Sequence, residues 1–279
     1  MINDDKLTED IKINVARSLL EDIGDGDITA QLIPESTVSE ASVITREQAI
    51  LCGQAWFNEV FRQLDSKVKI EWLAKDGEVL RSGQIVCNLN GSARSLLTGE
   101  RTALNFLQTL SGTATISRQY AELAFESDVT ILDTRKTIPG LRLAQKYAVL
   151  TGGCQNHRLG LYDAFLIKEN HITACGGVKS AVLRAREVSP GKLIEIEVEN
   201  LSELDAALNA KANVVMLDNF SDEMIKQAII MNTGETKLEV SGNIDKANIS
   251  KNIVPGIDYL SSGSLTKNCQ AIDFSMRLK

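Results

Sequence analysis

From about residue 128 onward, short apolar runs recur every 20 to 30 residues, and no other feature constrains the fold as tightly. The runs are VTILDT, DAFLIK, LIEIEVE, NVVMLDN, KLEVSG and IDYLSSG. Between them, VKSAVLRAREV, LSELDAALNA and SDEMIKQAII carry apolar residues at helical spacing. Strand and helix alternating in this way predict parallel β/α units. Six strands are too regular for chance and too few for a full eight-stranded barrel, which leaves an incomplete barrel or an open doubly wound sheet.

The strand ends carry the chemistry. In order they read DTRK, IKEN, EVEN, LDN, SGN and SSGS. In both candidate architectures ligands bind outside the carboxyl ends of the strands, and here every end supplies a charged or small polar residue. Within LIEIEVE, Glu195, Glu197 and Glu199 alternate with Ile194, Ile196 and Val198. If the apolar face lies under helices, the glutamates point into the sheet's interior, where carboxylates are costly unless paired or bound to a cation. Asp218 ends the next run at the same level. Glu197 and Asp218 are therefore the expected ligands of Mg²⁺, which takes one or two carboxylates together with substrate phosphate and water.

The opposite charge is close by. Arg135 and Lys136 follow the first run, Lys168 ends the second, and His157 and Arg158 lie in the glycine-bounded loop before it. Both histidines of the chain fall inside CQNHRLGLYDAFLIKENH. His157 is expected to contact a ligand, and His171 either does the same or shapes the turn after IKEN. Cys154 stands three residues before His157, but spacing alone does not make a nucleophile and base. The last two ends, with Ser241, Gly242 and Asn243 and with Ser262, Gly263 and Ser264, suit close approach of backbone N–H groups to a phosphate. Arginines, a cation pair and a phosphate cradle together suggest a phosphosugar joined to an acidic small molecule.

The N-terminal third has a different rhythm. Ile11, Val15, Leu19 and Leu20 mark a helix that runs into EDIGDGDIT, a turn lacking the ligand order of a calcium loop. KVKIEWLAKDGEVLRSGQIVCNLNG reads as strands joined by glycine turns. Leu96, Leu97, Leu104, Leu107 and Leu110 form a helical stripe. A net charge of −7 gives no global support for a nucleic-acid partner. No apolar run approaches the ~18 residues of a membrane span, and MINDDKLTED lacks the basic and apolar parts of a signal peptide. The five scattered cysteines contain no CxxC pair, which fits a reducing cytoplasm.

Taken together, GERTALNFLQTLSG, LDTRKTIPGLRLAQKYAV, GGCQNHRLGLYDAFLIKENHI, EVEN, MLDN and LEVSGNI closely resemble the quinolinate phosphoribosyltransferase family, from about Leu20 to the C-terminus. The resemblance implies an N-terminal α/β sandwich (1–110, with a tail, 268–279, returning to it) and an incomplete seven-stranded β/α barrel (111–267). It also implies transfer of phosphoribose from phosphoribosyl pyrophosphate to quinolinate, with loss of CO₂ and pyrophosphate, giving nicotinate mononucleotide in NAD synthesis. Thr134, Arg135, His157, Arg158 and Lys168 would line the quinolinate pocket, joined by Arg101 from a neighbouring subunit of a homodimer that can build a hexamer. Lys136, Lys168, Glu197 and Asp218 would face phosphoribosyl pyrophosphate and its Mg²⁺, and the two serine–glycine turns its 5-phosphate. Asn243 and Cys154 stand where the family often has glycine. A sister transferase for nicotinate, a Schiff-base aldolase using Lys168 and an inactive phosphosugar-binding protein are the rival readings.

Overall fold

The computed structural model describes residues 2–242 and 244–279, so the expected phosphate contact at Asn243 lies outside the described residues. In chain order the elements begin with α1 (Asp4–Ile23), β1 (Val38–Thr45), β2 (Ala49–Ile50), α2 (Gln54–Leu64), β3 (Lys69–Trp72), β4 (Val79–Leu80), β5 (Ile85–Ser92) and α3 (Ala93–Leu123). They continue with β6 (Thr130–Leu132), α4 (Arg142–Gly152), β7 (Phe165–Ile167), α5 (Glu169–Ala174), α6 (Val178–Val188), β8 (Ile194–Val198), α7 (Leu201–Asn209) and β9 (Val214–Asp218). The chain finishes with α8 (Asp222–Met231), β10 (Lys237–Ser241), α9 (Ile249–Asn252), β11 (Tyr259–Ser261), α10 (Ser264–Lys267) and β12 (Phe274–Leu278).

Two compact units divide the chain. The first runs to Gln119 and includes Thr137–Gly153 and Leu265–Lys279; the second comprises Tyr120–Lys136 and Cys154–Ser264. The expected boundary at residue 110 falls inside α3, which continues unbroken to Leu123.

In the first unit an antiparallel sheet has the order β12-β1-β5-β3. The C-terminal strand returns to β1, pairing Thr45 with Phe274 and Ala41 with Leu278. On α1, Ile11, Val15 and Leu19 are buried, whereas Leu20 is 72% exposed. The helix is as expected, but Leu20 stands one position off the i, i+4, i+8 stripe and so faces outward. The EDIGDGDIT segment is a turn: Asp27 accepts the N–H groups of Thr29 and Ala30 and the hydroxyl of Thr98. Residues 137–153 belong here because Tyr147 packs on Trp56 and donates to Asp76 at 2.9 Å. A side chain on Gly152 would also run into Ala114 and Ser117 of α3.

The second unit holds a parallel sheet of order β6-β11-β10-β9-β8-β7. All six apolar runs of the sequence are strands here. The last strand pairs with the first, Leu260 opposite Ile131, so the sheet curls back on its own origin as a barrel rather than opening as a doubly wound sheet. The family likeness implies a seventh strand, and only an isolated parallel bridge, Leu132 to Gln155, occupies that position. Asp133 explains the shortening: its carboxylate accepts the His157 N–H at 2.9 Å and the Asn156 amide at 2.7 Å, turning the chain away from β6. Among the described residues no helix is long and apolar enough to cross a membrane.

Candidate active site

Strand register builds the site in layers. Ile167 pairs with Ile196, so Lys168, the next residue, stands beside Glu197. Glu197 is level with Met216, and Met216 with Glu239, placing all three on one face. One layer nearer the carboxyl ends, Asp218 lies opposite Ser241, and Ser261 opposite Leu132. The apolar face of β8 is fully covered, with Ile196 and Val198 without exposed surface. Its glutamates turn the other way, as alternation requires. Glu195 and Glu197 point inward; Glu199 is exposed beyond the strand and gives its N–H to Glu203.

Lys168 forms an ion pair with Glu197. The Lys168 N–H donates to His171 Nδ1 at 3.1 Å, so His171 caps the start of α5 and shapes the turn that carries the lysine. Arg158 is half-buried and donates to the Ala164 carbonyl. Burial pulls its pKa below the ordinary arginine value, and the nearby Arg135 guanidinium adds to this, ahead of the opposing pull of Glu195 and Asp163. Like charges that feel one another favour an anionic ligand.

His157 is placed by its backbone and its ring together. Its N–H is held by Asp133, its Nδ1 accepts the Arg158 N–H at 2.8 Å, and its Nε2 lies 2.9 Å from Glu195. Burial raises the Cys154 thiol to about 12, with Asp133 adding to the effect, which disfavours the thiolate that a nucleophile needs.

The remaining strand ends form two turns. Gly263 packs against the DTRK end: a methyl there would come 3.0 Å from the Lys136 side chain and 3.4 Å from Thr134 Oγ1. Thr134 Oγ1 accepts the Lys136 N–H at 3.1 Å. Ser262 is buried; its N–H goes to Leu132 and its hydroxyl to the Ile244 carbonyl. Ser264 turns back on Ser262 Oγ through its own N–H. Tyr120 hydrogen-bonds Ser262, Ser264 and the Lys246 backbone, bracing this turn from α3. Gly242 has φ +107°, and a methyl on it would collide with Asn219 Oδ1. Asn219 in turn donates to Asp218 at 2.8 Å.

The second unit therefore gathers Thr134, Arg135, Lys136, His157, Arg158, Lys168, Glu197, Asp218, Ser241, Gly242 and Gly263 at its strand ends. Arg101 belongs to the first unit, where it is exposed on α3 and lines a cavity of about 280 Å³ with Asp22, Asp27, Ile28 and Leu97. Sequence reading missed Asp133 and Glu239 and gave Glu195 no role. For Glu239 the signal was present, since it sits between Leu238 and Val240 just as Glu195 sits between isoleucines.

Family models resolve what this arrangement belongs to. Residues 113–277 match the C-terminal domain of quinolinate phosphoribosyl transferase, and residues 27–111 match its N-terminal domain. The chain belongs to the quinolinate phosphoribosyltransferase family. It is 40% identical to a Bacillus subtilis protein named probable nicotinate-nucleotide pyrophosphorylase (carboxylating), covering 92% of this chain and 89% of that one. A Nicotiana glauca quinolinate phosphoribosyltransferase (decarboxylating) is 37% identical, with 97% and 83% covered. Among solved structures, the nicotinate-nucleotide pyrophosphorylase of Francisella tularensis superposes with a TM-score of 0.95 at 49% identity, covering 98% of this chain and 97% of that one. This family fold accounts for the curled parallel sheet and the β12 return alike.

Proposed function

We infer that the chain transfers phosphoribose from phosphoribosyl pyrophosphate to the ring nitrogen of quinolinate and releases pyrophosphate and CO₂, forming nicotinate mononucleotide for NAD synthesis. The observation that carries this reading is that the second unit holds Arg135, Arg158 and Lys168, with the Arg135 charge felt at Arg158. Quinolinate has two adjacent carboxylates on a planar ring. Two guanidiniums and a lysine match that charge and hold the ring in one plane.

In the transfer, the ring nitrogen forms a bond to ribose C1 as the C1–O bond to pyrophosphate breaks, and the electron pair leaves with pyrophosphate. Positive charge builds on C1 and negative charge on the leaving group. The Glu197 and Asp218 carboxylates suit the first, and Lys136 and Lys168 the second. The alkylated ring nitrogen is cationic, so it accepts the electron pair released when the C2 carboxylate departs as CO₂; that carbon then takes a proton from solvent. Nothing in this scheme needs a covalent enzyme intermediate.

Glu197 and Asp218 lie on one face of adjacent strands and offer hard oxygen donors, a set that fits Mg²⁺. Bound there with phosphoribosyl pyrophosphate, Mg²⁺ would neutralise diphosphate charge. The Gly242 and Gly263 turns suit the 5-phosphate, since a side chain would clash at Gly242 and press on Lys136 at Gly263. Arg101 completes the pocket from a second copy, which makes a homodimer the active unit and leaves a hexamer open to it. Five free cysteines support a reducing cytoplasm as its location.

Competition between acceptors tests the reading. The purified protein is expected to turn over quinolinate in preference to nicotinate, because nicotinate leaves one of the paired guanidiniums unmatched. Equal or better turnover of nicotinate would overturn it in favour of the sister enzyme.

A further inference from the structure

Next to Arg158 the fold buries the His157 imidazole against two carboxyls, Glu195 and Glu239, to which the transfer scheme assigns no step. The side chains of His157, Glu195 and Glu239 are 9%, 4% and 1% exposed. His157 Nε2 lies 2.9 Å from Glu195 Oε2 and 3.7 Å from Glu239 Oε2, close charge contacts that are not aligned as hydrogen bonds. On the other side of the ring, Nδ1 accepts the Arg158 N–H at 2.8 Å. A nitrogen that accepts carries no proton, so the neutral ring bears its proton on Nε2, the atom facing the two carboxyls.

We propose that Glu195 is a positioning residue for the acceptor pocket, fixing His157 as the Nε2–H tautomer so that its Nδ1 holds the Arg158 backbone in place. The inference rests on the pocket being the quinolinate site. Glu195 touches no reacting atom; it acts through His157 on Arg158. Glu239 stands behind it, its pKa raised to about 8 chiefly by burial and then by Glu195, with His157 and Ser261 opposing, which keeps it protonated at neutral pH. The same three side chains also present donor atoms within 4.8 Å of one another, a spacing a transition metal could use. A proton on Nε2 and a metal on Nε2 exclude each other, so the two readings are separable.

The test uses the intact enzyme. The chain has only two histidines, so the His171→Gln variant isolates the His157 ring in nitrogen-15 spectra. The expected spectrum shows a protonated Nε2 and a bare Nδ1 without substrate; a protonated Nδ1 overturns the proposal, as does stoichiometric zinc in the purified protein. In steady-state kinetics, Glu195→Leu is expected to raise KM for quinolinate on the order of tenfold or more. KM for phosphoribosyl pyrophosphate should stay within about twofold on the same ground that Glu195 acts only through the acceptor pocket. Glu195→Gln, which keeps an oxygen in the place of Oε2 beside Nε2, should restore most of the loss. Equal KM changes for both substrates, or none, would refute a positioning role. If Glu195→Leu does not fold, the spectrum of the His171→Gln protein decides alone. A wild-type protein that never turns over quinolinate refutes the site assignment itself, an outcome distinct from all of these.

Discussion

Lys168 and Glu197 stand side by side on adjacent strands, the lysine just past β7 and the glutamate near the end of β8, joined as an ion pair. Lys168 remains 43% exposed and Glu197 12% exposed, so the pair sits at the mouth of the sheet rather than in its core. An arrangement this open contributes little to folding and much to chemistry. Lys168→Met is expected to abolish measurable turnover while shifting unfolding free energy by no more than about 1 kcal/mol. Urea denaturation beside an activity assay checks both parts. A variant that loses stability in proportion to activity would make the pair structural.

Arg101 gives the test of assembly. It is exposed and distant in sequence from the strand ends, so Arg101→Ala should fold normally and be inactive. Lys168→Met should be inactive for a different reason. On subunit exchange between the two, a mixed dimer carries one site with an intact Arg101 from one copy and an intact Lys168 from the other. Activity is expected to return on mixing. Continued inactivity with demonstrated exchange would remove Arg101 from the partner's pocket.

Gly242 is required by both backbone and space, with φ +107° and Asn219 where a side chain would go. Gly242→Ala is expected to cost about 1 to 3 kcal/mol of stability. Because Asn219 is bonded to Asp218, the same change should weaken phosphoribosyl pyrophosphate binding more than quinolinate binding. Calorimetric titration with each substrate measures the split; equal losses would place the turn outside the phosphate site.

A pH dependence follows from Glu239. Burial raises its pKa from the ordinary 4.5 to about 8 in the folded protein. The folded chain then binds a proton that the unfolded chain has released, so this contribution is whole below about 4.5 and is lost as pH rises through about 8. Glu239→Gln should remove that slope, leaving the variant relatively more stable than wild type at pH 9 than at pH 5. Thermal unfolding across that range checks it, and parallel curves would contradict it.

Much of the fold was legible because its strands are apolar runs separated by helices, each long enough to show its period. VTILDT, LIEIEVE and KLEVSG could be nothing else, and the charged residues that end them announced the site. What the sequence concealed was non-local. The seventh strand is a single bridge at Gln155 and leaves no run to detect. Glu239 and Asp133 act on His157, 82 and 24 positions away in order, through contacts that strand register creates. Thr137–Gly153 joins the first unit because Tyr147 finds Trp56 and Asp76, which no boundary drawn along the chain can express. Leu20 shows the opposite case, an apolar residue credited to a stripe from which it is one position displaced.

The central claim, that two guanidiniums and a lysine hold a pyridine dicarboxylate for phosphoribosyl transfer, is tested most directly by CO₂ release from carboxyl-labelled quinolinate. Release is expected only when phosphoribosyl pyrophosphate and Mg²⁺ are both present, because the C2 carboxylate departs after the ring nitrogen is alkylated. Release without phosphoribosyl pyrophosphate, or none from folded protein supplied with both, would contradict it.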